Sequence, residues 1–401
     1  MDIQWIKNGG VTSAQGYCAA GVAAGIKKKG KKDMALVVSA KHAAVGATFT
    51  TNQVKAACVK LSAQHSKRGK TRAVILNSGN ANACTGLRGI RDAKQTAEET
   101  AKAIGCRTQD VLVCSTGRIG VPLPMPRIKS GIKKLVRKLD ANGGKGAAKA
   151  IMTTDTYAKE CAVELEIGGK RVVVGGMAKG AGMIHPNMAT MLCVITTDAN
   201  VESASLRRVT ADVVETTFNR ISVDGDTSTN DTVFVLANGA STSSAISRSH
   251  PEFDKFRTAL HLVLSKLSRM IIEDGEGITK VVDLTISGAA NDADAKRAAE
   301  AIARSPLVKT SWCGNDPNWG RLMDTIGYSQ AKVREELVDI YYNGLLAVKG
   351  GLVSKTPFSR LKKEVSKPTF AINIDLHLGK GCYSLWVNDL TENYVTLNKG
   401  E

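Results

Sequence analysis

Aromatic side chains are scarce in this 401-residue sequence, at 4% of the chain, and none interleaves with the lysine runs KKKGKK (27–32), SKRGK (66–70) and IKKLVRK (132–138). Single strands and RNA loops are held by bases stacked on rings as well as by charge. The excess of 55 Lys and Arg over 37 Asp and Glu, a net charge of +18, therefore reads as a solvated basic surface that attracts anionic metabolites, with no nucleic-acid partner. Long apolar runs are missing too. No stretch approaches the ~18 uninterrupted apolar residues of a membrane span, so no membrane partner is expected. The nine cysteines include no C-x-x-C pair and the six histidines no H-E-x-x-H, which argues against a disulfide framework and against a metal site. MDIQWIKNGG lacks a basic region followed by an apolar core, and a cytoplasmic protein with reduced thiols is expected. There is no P-loop, no G-x-S-x-G and no G-x-G-x-x-G after a strand, so nucleotide-binding and α/β-hydrolase readings lose their usual support.

What is present has α/β texture. With 43% hydrophobic residues the chain can bury a large core, as two domains or one two-lobed unit. DMALVVSA, RAVILNSG and DVLVCSTG read as buried strands, and RDAKQTAEETAKAIG as an Ala-rich helix ended by Gly105. By composition LDANGGKGAAK (139–149) is a loop or hinge, while Val163–Gly176 reads as a hairpin turning at Gly168-Gly169. SASLRRVTADVVETTFN is expected to be a helix with Ser203 as a candidate cap, and PEFDKFRTALHLVLSKLSRMIIEDG a long amphipathic helix. TKVVDLTISGA followed by NDADAKRAAEAIARS gives strand, cap and helix, with Asn291, Asp292 and Asp294 suited to the positive end of the helix dipole.

Six stretches are dense in glycine or asparagine: NSGNANACTG (77–86), CSTGRIG (114–120), KGAGMIHPNMATM (179–191), DGDTSTNDT (224–232), EDGEG (273–277) and GNDPNWGR (314–321). Any one alone is a loop. Together they suggest a site built from loops on a rigid α/β scaffold, with small side chains and backbone N–H groups where a ligand must come close. Within the third, Thr190 precedes the apolar run Met191, Leu192, Val194 and Ile195, and by itself reads as a β-branched residue at a loop-to-strand junction.

KGAGMIHPNMATMLCVITTDA resembles, nearly residue for residue, the processing segment of the ornithine acetyltransferase (glutamate N-acetyltransferase) family of arginine biosynthesis. The resemblance continues in order through GVAAGIKKKGKKDMALVVS, FTTNQVKAA, NSGNANACTG, STGRIG, MTTDT, DGDTSTNDT and GNDPNWGR. It implies the two-lobed, layered α/β fold of that family and of the related N-terminal-nucleophile aminopeptidases. It also implies a precursor that cuts itself between Ala189 and Thr190, giving an α chain (1–189) and a β chain (190–401) that assemble as two α and two β chains. The chemistry accounts for the missing Ser-His-Asp set. Once Thr190 is N-terminal, its α-amino group, with a pKa of about 8, serves as base for its own hydroxyl.

By the same resemblance, the Thr116 hydroxyl and the Gly117 N–H form an oxyanion hole, and Thr154, Lys179, Thr190 and Glu276 contact substrate. A lysine suits an α-carboxylate and a glutamate suits an ammonium, although taken alone Lys179 and Glu276 would be surface charges. Two positions depart from the pattern. Arg118 stands where the family more often has an apolar residue. YVTLNKGE supplies Asn398, a further site-lining residue, but ends at Glu401 where the family has a threonine or serine. The implied reaction moves an acetyl group from N2-acetylornithine to L-glutamate with no metal or organic cofactor. Acetyl-CoA is left open as a second donor, with acetylornithine favoured because no phosphate-cradling loop is found. The alternative is an amidase or aminopeptidase of the related fold, in which water takes the acyl group.

Overall fold

The computed structural model describes residues 3–28, 30–185, 191–241 and 245–399, and it divides into two compact units. The first comprises Met1–Gly180, Asn187–Asn219 and Thr227–Ile271; the second comprises Ala181–Pro186, Arg220–Asp226 and Ile272–Glu401. Each unit therefore draws on sequence from both sides of the Ala189–Thr190 junction.

Among the described residues the first unit contains a nine-stranded mixed sheet. Its order runs Gln4–Trp5, Lys159–Ile167, Lys170–Lys179, Leu192–Thr197, Thr232–Ala237, Met34–Phe49, Lys70–Asn80, Val111–Arg118, and Tyr17–Val22 also pairs with Met34–Phe49. Alternation along Met34–Phe49 sets the layers. Ala35 and Val37 enter one core cluster and Met34 and Leu36 another, so the strand is apolar on both faces and reads as an unbroken run. Helices Ala57–Ser66, Gly86–Ile104 and Met125–Arg137 add Val59, Ala97, Ala101, Ile128 and Leu135 to the cluster holding Leu36. Each such Leu or Val leaves water almost completely, which contributes about 1.5–3 kcal/mol relative to exposure. The IKKLVRK run behaves as a helix should: Ile132 and Leu135 are buried, Lys133 and Lys134 exposed. The expected hairpin turns where Gly168 and Gly169 both have positive φ, 60° and 68°.

Two expectations are corrected. The stretch 139–149 is not a loop throughout, because Gly144–Ile151 is a helix whose Ala147, Ala148, Ala150 and Ile151 lie in the core cluster with Val37. A Cβ on Gly21 of the neighbouring strand would collide with the Gly146 carbonyl. The glycines and alanines there serve close helix-to-strand packing. Ser203 does not cap the Ser203–Glu215 helix; Glu202 holds the N-cap position and the Ser203 hydroxyl donates to the Gly69 carbonyl at 2.6 Å.

The second unit carries a seven-stranded sheet among its described residues, in the order Leu352–Val353, Leu345–Lys349, Asp339–Tyr342, Thr369–Asp375, Val281–Ala289, Gly381–Asn388, Ile221–Ser222. Here the alternation is one-sided: Val282, Leu284 and Ile286 are buried, while Asp283, Thr285 and Ser287 are only half-buried. The Asp292–Arg304 helix packs on the buried face through Ala295, Ala299 and Ile302. It starts as expected, with the Asn291 side chain accepting from the Asp294 N–H at 2.9 Å. No helix of the described residues is long and apolar enough to cross a membrane.

Candidate active site

Thr116 and Gly117 end the Val111–Arg118 strand, which runs parallel to Lys70–Asn80. Their register is regular from Ala73 opposite Val111 to Gly79 opposite Gly117, then slips at Asn80, which faces both Thr116 and Arg118. The slip brings two backbones unusually close. A Cβ on Gly117 would lie 2.5 Å from the Asn80 nitrogen, and its φ of 130° is one that side-chain-bearing residues avoid. Only glycine fits, which leaves exposed backbone at the strand tip beside the buried Thr116 hydroxyl. Arg118 is exposed, and its carbonyl accepts from the Ala81 N–H at 2.9 Å, so its side chain does not enter this packing.

Lys179 closes the Lys170–Lys179 strand and is 2% exposed; its Nζ donates to Thr116 Oγ1 at 3.3 Å. It is therefore no surface charge. Asp155 stands behind it, accepting from the Gly180 N–H at 2.8 Å, from the Thr153 N–H at 2.9 Å and from Lys159 Nζ at 2.7 Å. Burial pushes the Asp155 carboxyl up, but the charges of Lys179 and Lys159 and these hydrogen bonds outweigh it and hold it below its ordinary value. Thr154 is exposed in the same short loop, next to Asp155. Thr116, Gly117, Lys179 and the Thr154 loop thus form one neighbourhood of the first unit.

The Lys159–Asp155 pair has no exposed side-chain surface at either member. Lys159→Met should lower unfolding stability by about 3 kcal/mol in urea, near the lower end for breaking a buried pair, since Lys179 and two amides remain on the carboxylate. The folded pKa is depressed, so the stabilisation holds above the unfolded value near 4 and is lost as pH falls through the folded value. The variant's deficit should shrink in acid, and an equal deficit at all pH values would count against the pair.

In the second unit the residues before the junction are tightly held. The Asp224 carboxylate accepts from the Met183 and Ile184 N–H groups at 2.5 and 2.9 Å. The buried His185 takes a hydrogen bond from Arg304 Nε on Nε2 at 2.8 Å and meets Ser222 Oγ through Nδ1 at 2.9 Å. Burial first, then the charge of Arg304, drives its pKa down to about 3, so the ring is neutral at physiological pH. Glu276 is half-buried; its N–H donates to the Ala181 carbonyl at 2.9 Å and its carboxylate accepts from Asn398 Nδ2 at 2.9 Å. Glu276 and Asn398 are thereby brought together. Ala189 and Thr190 lie outside the described residues.

Four contributors escaped the sequence reading. Lys27, taken for part of a solvated run, is half-buried and donates from Nζ to the Met152 carbonyl at 2.9 Å, beside the Thr154 loop; burial lowers its pKa. Asp33 turns that segment by accepting from the N–H groups of Ala24, Gly25, Ile26 and Lys27. Asn230 donates from Nδ2 to the Ala81 and Ser115 carbonyls, each at 2.7 Å, and so fixes the strand tip that carries Thr116. Asp231 accepts from the Met191 N–H at 2.9 Å, at the start of the strand that follows Thr190. The polar density of DGDTSTNDT was the one available signal. Among the described residues no group of His, Cys, Asp and Glu is arranged to hold a metal ion.

A family model described as the ArgJ family matches residues 18–400. An arginine biosynthesis bifunctional protein ArgJ of Caldanaerobacter subterraneus is 45% identical over 397 residues, covering 98% of both chains. Its counterpart from Geobacter sulfurreducens is 46% identical over 387 residues, 96% of this chain and 98% of that one. A crystal structure of ornithine acetyltransferase complexed with ornithine, from Mycobacterium tuberculosis, is similar at 45% identity with a TM-score of 0.44, covering 46% of this chain and 98% of that chain.

Proposed function

The chain belongs to the ArgJ family, and on that premise we propose that it cuts itself before Thr190 and moves an acetyl group from N2-acetylornithine to L-glutamate through acetyl-Thr190. It is an acetyltransferase of arginine biosynthesis. In the proposed cycle the Thr190 hydroxyl oxygen attacks the acetyl carbonyl carbon while its proton passes to the α-amino group of the same residue. The new C–O bond drives the carbonyl electron pair onto oxygen, where the Thr116 hydroxyl and the Gly117 N–H donate to it. Collapse breaks the C–N bond, and the departing ornithine nitrogen takes the proton. The amine of glutamate then reverses the sequence and leaves as N-acetylglutamate.

The observation that carries this reading is the Lys179 Nζ contact with Thr116 Oγ1 at 3.3 Å. A lysine donating to that oxygen leaves the hydroxyl proton for another acceptor, as an oxyanion donor requires. Lys179 also suits the α-carboxylate common to donor and acceptor, so one cation can position both. Glu276, with Asn398, suits the ammonium of ornithine, and Thr154 completes the substrate contacts. The products of the cut are an α chain (1–189) and a β chain (190–401), two of each in the assembly. Nine unpaired cysteines suit a reducing compartment, the cytoplasm. Because the relatives are called bifunctional, acetyl-CoA is included as a second donor. Ornithine release from acetylornithine beyond one equivalent per site should require added glutamate and follow ping-pong kinetics; sustained acetate release equally fast without glutamate would favour the amidase reading.

A further inference from the structure

Of the described lysines in the run 27–32, only Lys27 is drawn inward; Lys28, Lys31 and Lys32 are exposed. Its stem lies against Gly79, where a Cβ would come within 2.8 Å of Lys27 Cγ. Gly79 is the register partner of Gly117, and a Cβ on Gly117 would collide with the Gly79 carbonyl carbon. Two adjacent bare backbones thus make room for an aliphatic stem beside the proposed oxyanion donors. From there Lys27 Nζ reaches the Met152 carbonyl at 2.9 Å, in the loop that carries Thr154 and Asp155.

The segment is fixed before any ligand arrives. The Asp33 carboxylate accepts from the N–H groups of Ala24, Gly25, Ile26 and Lys27 at 2.6, 3.0, 2.6 and 3.0 Å, and the Asp33 carbonyl accepts from the Ser78 N–H at 2.9 Å. That carboxylate is spent on backbone, and among the described residues no ion pair closes on Lys27. One of the three donors of its ammonium is used, by Met152. Burial lowers the Lys27 pKa first, and the charges of Lys31 and Lys179 act the same way, while those of Asp33 and Asp155 oppose them. Two cations, Lys27 and Lys179, therefore share the neighbourhood of the Thr154 loop, which suits a ligand with two anionic groups.

Donor and acceptor differ at their far ends. Acetylornithine carries an ammonium there, and glutamate a second carboxylate. We infer that Lys27 is the acceptor-specificity residue, its ammonium receiving the side-chain carboxylate of glutamate while Lys179 receives the α-carboxylate. This rests on the acetyl-transfer reading above. A second lysine attracts the dicarboxylate and gives the far end of the donor nothing, so its contribution falls on the half-reaction that consumes glutamate.

L-glutamate and L-glutamine as acceptors differ in the charge of that end and little else. Acetylornithine is the donor throughout, so no CoA phosphate competes for the lysine. The wild type should favour glutamate by roughly tenfold or more in kcat/KM, Lys27→Met should bring the ratio to roughly one through the KM for glutamate, and Lys27→Arg should keep most of the preference. The first-turnover release of ornithine, measured without acceptor, should change by less than about twofold in Lys27→Met. A wild type that uses glutamine as well as glutamate, or a Lys27→Met variant with the wild-type ratio, overturns the inference. So does an equal loss in both half-reactions, which would make Lys27 a packing residue. If Lys27→Met does not fold, Lys27→Gln, which keeps a donor for Met152 without the charge, takes its place. In the wild type itself, glutamate but not glutamine should shield Lys27 from reductive methylation, read by mass spectrometry, and equal labelling with either contradicts the contact. A wild type that transfers acetyl with none resting on Thr190 would instead sink the proposed cycle, and the acceptor ratio would still decide the role of Lys27.

Discussion

Replacing Thr190 by alanine should leave a single chain of 401 residues with no measurable acetyl transfer. The residue has two tasks with one chemistry. In the proposed mechanism its hydroxyl attacks the Ala189 carbonyl of the precursor, converting an amide to an ester that water then opens, and in the cut enzyme it attacks an acetyl carbonyl. A methyl group can do neither. Removing a nucleophile typically lowers turnover by roughly 10⁴-fold or more, and here the base would be lost with it, because an uncut chain has no α-amino group at this position. Thr190→Ser, which keeps the hydroxyl, should still be cut. Denaturing mass spectrometry reads both variants directly, and an alanine variant that is cut or active would remove Thr190 from the mechanism.

Thr116→Ala should lower the rate of acyl transfer by roughly a hundredfold, or about 3 kcal/mol of transition-state stabilisation, as deletion of one oxyanion donor usually does. The hydroxyl is buried at a strand tip, accepts from Lys179 at 3.3 Å and adjoins a glycine held within 2.5 Å of the Asn80 nitrogen, reckoned from where its Cβ would be. Such an atom is fixed before substrate arrives, so its effect should fall on kcat and leave the KM for acetylornithine nearly unchanged. Thr116→Ser, which restores the donor, should recover most of the rate. A loss confined to KM, or a serine variant as poor as alanine, would make Thr116 a ground-state or packing residue.

The parts of this architecture that were legible in the sequence share a physical reason. Met34–Val37 and Ala73–Leu76 are buried on both faces and read as continuous apolar runs, and Gly105 ends its helix in the left-handed conformation with φ of 69°. The helix Gly144–Ile151 was hidden because glycine is written there for close packing against Gly21, and composition does not distinguish that use from a hinge. The polar framework was hidden for a different reason. Asn230 acts on Ala81 and Ser115, 149 and 115 residues away, and no local period encodes such a partner. Lys27 looked like one of several surface lysines until the fold brought Met152 to its ammonium. The resemblance named Thr116, Lys179 and Glu276 as candidates; what it did not name was the polar framework around them, in Asp155, Lys159, Asn230 and Asp231.

In the proposed cycle an acetyl group rests covalently on Thr190 between donor and acceptor. Purified protein should be mixed with N2-acetylornithine in the absence of glutamate, quenched in acid, and its fragments weighed intact and after digestion. The fragment beginning at Thr190 should gain the mass of one acetyl group, located on that first residue, and lose it when glutamate is added. Turnover of acetylornithine with no acetyl group on Thr190, at quench times shorter than one catalytic cycle, would contradict that cycle.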